Sequence, residues 1–122
     1  MPIECLDAHN ALLDIFRDWS VQSRARKPGP PERVDGMSVG LVTMKAGEPS
    51  PHRGEMHPDG DEILLVMSGI IRITTDSDPT SVDLGNGQAC IIPKGEWHMI
   101  DCLEDAQLVH ITPGPRGEAR FD

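Results

Sequence analysis

Beyond Gly36 the chain falls into short runs of β-formers separated by turn chemistry. The alternation predicts strands over residues 37–46, 62–67, 70–75, 81–84, 88–92, 97–101 and 107–111. The separators HPDGD, SG, DSDP, GNG, PKGE and LEDA are rich in Gly, Pro, Asp and Asn, which supply the dihedrals that turns need. Short strands at near-regular spacing predict an all-β sandwich or barrel. No separator is long enough for a crossover helix, so alternating βα units are excluded. Upstream the period changes. Leu12, Ile15, Phe16 and Trp19 fall on one helical stripe with Asp7 as N-cap, which predicts a helix over 7–19. The following stretch to Asp35, RARKPGPPERVD, is too rich in proline and charge for regular structure and reads as a surface linker. The expected organisation is an N-terminal helix and linker over 1–36, a barrel over 37–113 and a tail over 114–122.

Composition narrows the partners. The 122 residues suit one hydrophobic core, and 12 Gly with 11 Pro favour many turns over long helices. A net charge of −9 argues against nucleic acid or an anionic membrane surface as partner, because both need a basic face. Cys5, Cys90 and Cys102 form no C-x-x-C pair and are odd in number, which favours a reducing compartment over a disulfide framework. The longest apolar run is far short of a membrane span, and the first residues, MPIECLDAHN, lack the basic and apolar regions of a signal peptide. A cytoplasmic protein is expected.

The candidate chemistry lies in HRGEMHPDGDE. If residues 55–57 are extended, Glu55 and His57 share a face. Pro58 to Asp61 then turn the chain, and a tight hairpin would bring Glu62 back beside His57. A second segment, GNGQACIIPKGEWH, ends a strand in a Pro-Lys-Gly turn and places His98 on the next strand. Imidazoles with carboxylates suit a divalent transition metal (Fe, Mn, Ni, Cu or Zn), whereas the lack of thiolates argues against a structural zinc knot.

These two segments resemble the paired signatures of the cupins. Glu55-x-His57-x4-Glu62-x6-Gly69 matches the body of the first, and Gly87-x5-Pro93-x-Gly95-x2-His98 matches the second without a gap. The resemblance spans roughly residues 39–113. It implies a small double-sheet jelly-roll barrel with a metal bound inside one end. Two positions depart from the pattern. Glu55 stands in place of the first histidine, and Cys102 replaces the closing asparagine. The implied ligand set is therefore His57, Glu62, His98 and Glu55, with Glu55 alternatively a general base. Cys102 is in phase with His98 but about 13 Å along the strand, too far to share a ligand shell.

Other polar residues have plainer readings. His52 is a loop residue near the candidate ligands, whose imidazole the irregular loop around Gly54 could bring in as ligand instead of Glu55, though Glu55 falls in register; a place in substrate binding is its other reading. Arg53, in phase with Glu55, and Arg72, within IIRIT, are candidate binders of a substrate carboxylate, with solvation or edge protection as the ordinary alternative. His110 reads as an interior histidine, Cys90 as inert packing, and Asp59 and Asp61 as turn formers. The expected function is a metal-dependent enzyme, foremost an oxygenase acting on a small organic acid or aromatic. A metal-assisted isomerase or lyase and a non-catalytic metal- or ligand-binding module are the alternatives. The apolar helical stripe and a small barrel's exposed strands suggest a homodimer.

Overall fold

The computed structural model of the chain describes residues 2–78 and 81–121. The described residues form nine strands: β1 (Ala11–Phe16), β2 (Val21–Ala25), β3 (Gly36–Met44), β4 (Gly54–Met56), β5 (Glu62–Thr75), β6 (Val82–Leu84), β7 (Ala89–Ile92), β8 (His98–Pro113) and β9 (Glu118–Arg120). The described residues include no helix, and Pro79 of the expected DSDP turn lies outside them.

Two long strands organise the sheet. β8 pairs with β3 along its second half, with β4 at its start, and with β5 along most of its length. The order β2-β1-β3-β8-β4-β9 runs to one side, while β6 and β7 hang on β5. The separators SG and LEDA, expected to be turns, are crossed without a break. On β5 the buried residues are Glu62, Leu64 and Val66, then Ile71 and Ile73, so the inward face switches from even to odd positions. Because side chains alternate with period two, that switch needs an odd insertion. The register with β8 shifts between Val66 and Ile71, which supplies it as a bulge. Gly69 sits there at φ 77°, and a Cβ would collide with the Asp105 carbonyl. The bend lets both halves of β5 face one core, built from Leu64, Val66, Ile71, Ile73, Leu84, Ile92, Ala106 and Leu108.

The expected helix over 7–19 is not formed. Asp7 caps a turn, accepting the His9 N–H, and Asn10 N–H returns to the Asp7 carbonyl. The chain then runs as the β1–β2 hairpin. The inward residues of β1 are Leu12 and Asp14, a period-two pair whose second member is charged. A carboxylate at a core position hides the alternation. Asp14 is acceptable there because Arg24 pairs with it at 2.8 Å and the Ser38 hydroxyl donates to it at 2.7 Å. Trp19, the last residue of the supposed stripe, is 83% exposed and takes φ 71° in the hairpin loop. The expected surface linker is also partly strand, since Ser23 to Ala25 belong to β2.

Both flanks join the sheet. β1 pairs with β3, and β9 pairs with β4. Asp14→Ala should cost about 2–4 kcal/mol in a denaturant melt, because it strands a half-buried guanidinium and a buried hydroxyl. Asp35→Ala breaks only the exposed Arg17 pair and should change stability by no more than about 0.5 kcal/mol. Equal effects would contradict the buried position of Asp14.

Candidate metal centre

Four of the expected ligand residues converge. Glu55 on β4 and His98 on β8 are direct cross-strand partners. His57 follows β4, and Glu62 opens β5. The expected hairpin between them does not exist, because β4 pairs with β8 and β9 while β5 pairs with β6, β7 and β8. Residues 58–61 instead connect different parts of the curled sheet, so His57 and Glu62 meet across the interior. The acidic residues of this connection lash it in place. Asp59 takes the Arg116 backbone and guanidinium, and Asp61 accepts the Lys94 N–H of the Pro-Lys-Gly turn at 2.8 Å. The Gly95 N–H of that turn donates to the His57 carbonyl at 2.9 Å. β4 is further held by β9, whose Arg120 stacks on Trp97 at 4.5 Å and pairs with Asp76.

Glu55, His57 and His98 each offer one ligand atom, all within 4.8 Å of one another. Glu62 adjoins both histidines through different oxygens, 3.5 Å from His57 Nε2 and 3.1 Å from His98 Nε2. His57 Nε2 lies 3.6 Å from the second oxygen of Glu55. Two atoms bound to one ion at about 2.1 Å stand roughly 3.0–3.4 Å apart. The group thus has nearly the spacing of a shared shell. His57, Glu62 and His98 are 5%, 4% and 2% exposed.

Proton placement sharpens this. His98 Nδ1 faces the Glu96 carbonyl at 3.1 Å, and a carbonyl only accepts, so Nδ1 carries hydrogen. In the neutral ring Nε2 then presents a lone pair to the Glu62 carboxylate. His98 Nε2 and both ring nitrogens of His57 are buried without a hydrogen-bond partner. Lone pairs facing carboxylates in a buried site require a cation or a proton. Without a metal, the proton answers. Burial would lower the His98 pKa, but the Glu62 carboxylate 3.1 Å from Nε2 outweighs it and raises it. Burial likewise opposes ionisation of Glu62, and His98, His57 and the Thr112 hydroxyl overcome it, holding the carboxyl low. At Glu55 burial is outweighed by the adjacent His57 and by the charges of His52 and Arg33, which bring it to about 2. The donor set, imidazole nitrogens with carboxylate oxygens, fits a divalent transition ion.

A cavity of about 970 Å³ opens onto this group, lined among others by Glu55, Glu62, Leu64, Leu108 and His110. His52 lines it as well, with Nε2 3.1 Å from Glu55 and Nδ1 accepting the Gly54 N–H. Arg53 is exposed and outside this lining. Arg72 is exposed on the outer face and bound through two hydrogen bonds to Asp83 across the β5–β6 ladder, so it does not reach the cavity. Cys102 reaches the cavity wall but not the ligand group.

Two cavity residues lacked any sequence reading as binders. Arg33 and Arg26 come from the segment expected to wrap the surface, which instead walls the cavity. His110 is tied to the ligands. Thr112 donates to Glu62 at 2.6 Å, so its oxygen must accept from His110 Nδ1 at 2.8 Å. That fixes the His110 tautomer and leaves Nε2 as an acceptor. Burial and the nearby Arg33 charge push its pKa down to about 4, so it stays neutral near pH 7. A histidine depressed from about 6.5 contributes fully to stability above that pH and loses its contribution as pH falls toward 4, up to about 3 kcal/mol in total. The His110 ring signals in NMR should titrate near pH 4, and His110→Gln should flatten the acid limb of the stability curve. A midpoint near 6.5 would contradict this account.

Comparison with known proteins agrees with this geometry. The cupin-domain family model matches residues 40–112. None of the curated protein sequences matches the chain. A cupin-2 domain containing protein from Shewanella frigidimarina is similar at 26% identity and TM-score 0.51, over 69% of this chain and 76% of that one. A conserved protein of unknown function from Streptococcus pyogenes is similar at 22% identity and TM-score 0.57, over 70% of this chain and 69% of the other. Hydroxypropylphosphonic acid epoxidase from S. wedmorenis is similar at 17% and TM-score 0.53, over 62% of this chain but only 42% of its own; that likeness is one of fold. With more than half its length matched by the family model, its two signature segments in register and its curled all-β sheet, the chain belongs to the cupin family.

Proposed function

We propose that this cupin is a metal-dependent enzyme of the oxygenase type that acts on a small organic acid. The observation that carries it is the pair of buried histidines whose unpartnered nitrogens face Glu55 and Glu62, two carboxylates that line the adjoining cavity. His57, His98 and Glu55 would hold the ion, with Glu62 as a fourth ligand. A divalent transition ion, when bound, supplies Lewis acidity and, if redox-active, one-electron chemistry with dioxygen. The protein's own groups do the rest. The Glu96 carbonyl locks the His98 ring, and Thr112 orients Glu62 while drawing its own orientation from His110. Leu64, Leu108 and Ile100 give the cavity apolar walls that limit water around the reacting groups. Glu55, held near pKa 2, is poorly matched to removing protons near neutral pH, which favours the ligand role over the general base of an isomerase.

A homodimer belongs to the same proposal. With no helical stripe, its support moves to the outer sheet face, where Ile63, Leu65, Met67 and Ile91 are exposed side by side on β5 and β7. No helix among the described residues is long and apolar enough to cross a membrane.

Protein purified without chelators should carry close to one equivalent of a transition metal by elemental analysis. His57→Ala and His98→Ala should lower affinity for that metal by at least about 100-fold. Thr112→Val should lower it about tenfold, because Glu62 loses its orienting donor. Unchanged affinity in both histidine variants would sink the metal reading. For the iron-loaded protein, oxygen uptake on adding small organic acids is expected. Proton exchange into the acid without oxygen uptake would favour the isomerase, and retention without product would favour a binding module.

A further inference from the structure

Arg33 is placed as a charge without a partner. It reaches the cavity from the segment before β3, lining it together with Glu55. Its Nη1 is buried with no hydrogen bond, and no carboxylate among the described residues forms an ion pair with it. Its backbone is fixed from below: a Cβ on Gly114 would collide with the Arg33 side chain and the Val34 carbonyl, and the Gly114 N–H donates to the Gly36 carbonyl. A half-buried guanidinium with an unpartnered inner donor is costly unless an anion completes it.

In the protein without metal, the charges of Glu55 and Glu62 partly offset that cost. A divalent ion among the ligands would change the balance. The two carboxylates would then be neutralised by the metal, His110 is uncharged, and Asp14 is already paired with Arg24. The interior would be left with the uncompensated charge of Arg33. Arg26 adds to it, since its Nη2 packs against Gly40 beside His110 Nε2. Lys27, Lys45, Glu32 and Glu48 also line the cavity but are exposed, so solvent screens them, and the half-buried Asp101 is the cross-strand partner of Arg72, whose charge it feels.

We propose that Arg33 is the substrate-anion receptor of this site, binding the carboxylate of a small monoanionic organic acid through its guanidinium and turning the rest of the molecule toward Glu55, His57 and His98. The proposal rests on the metal reading above. Arg33 takes the role that a reading of the sequence offered to Arg53 and Arg72. Carboxylate suits the guanidinium fork, and a charge-assisted hydrogen bond in a partly dry cavity discriminates well against a neutral isostere.

The test uses cobalt(II)-loaded protein with propionate and propionamide, which share a shape and differ in charge. Ligand-observed NMR reads binding next to the paramagnetic ion through broadening of the probe signals, with zinc-loaded protein as the diamagnetic control. Propionate should bind at least tenfold more tightly than propionamide. Arg33→Met should abolish that preference while taking up cobalt with affinity within threefold of wild type, and Arg33→Lys should restore part of it. Equal binding of the two probes by wild-type protein overturns the proposal, whether or not the variants fold. So does a full preference for propionate retained by folded Arg33→Met, which would place the anion on the metal itself. Absence of cobalt uptake by wild type overturns the metal reading and this proposal together. Uptake without discrimination overturns the Arg33 assignment alone.

Discussion

The site depends on one electrostatic conflict. Two buried imidazoles face two carboxylates in the interior of a small barrel, and one of them has its ring hydrogen committed elsewhere. His98 shows it most plainly, because its Nδ1 hydrogen is committed to the Glu96 carbonyl and its Nε2 is turned on Glu62. Two acceptors at 3.1 Å repel unless something positive stands between or beside them. A proton can do this for one pair. A divalent cation would do it for Glu55, His57, Glu62 and His98 at once, and the strands hold these groups close together.

The arrangement is built from strand ends tied at several points. β8 delivers His98 at one end and Thr112 at the other, and Thr112 reaches back to Glu62. β5 can carry Glu62 and also close the core only because the bulge at Gly69 switches its inward face. The short β4 would be a weak support alone, but β9 pairs with it on one side and β8 on the other. Asp59 and Asp61, turn residues by type, act as clamps between the His57 connection, the C-terminal segment and the Pro-Lys-Gly turn. Preorganisation of this kind keeps ligand atoms close despite their mutual repulsion.

What was legible in the sequence follows from where chemistry and pattern coincide. His57, Glu62 and His98 could be read because tight Pro/Gly turns sit beside each of them and the spacing matches a family signature. Glu55 was legible as the residue that shares a face with His57 and as a departure from that signature, and the structure draws it into the compact trio. The barrel strands were found, but β5 and β8 were each divided, since a glycine or polar bulge inside a long strand has the same composition as a turn. β1 was mistaken for a helix because Asp14 occupies an inward position, where only its pairing with Arg24 and Ser38 makes a charge tolerable. β9 is three residues in a Gly- and charge-rich tail and exists through its partner β4. Arg33 could not be found at all: a cation amid prolines reads as surface, and only the tertiary path of that segment turns it inward.

X-ray absorption spectroscopy on the metal-loaded protein tests the central claim most directly. Two imidazole rings give a characteristic outer-shell scattering beyond the nearest nitrogen and oxygen neighbours, which lie at about 2.0–2.2 Å. The account predicts that two-imidazole signature with carboxylate oxygens completing the shell, reduced to one ring in His98→Ala. A shell of oxygen alone, with no imidazole scattering and no change in His98→Ala, would contradict it.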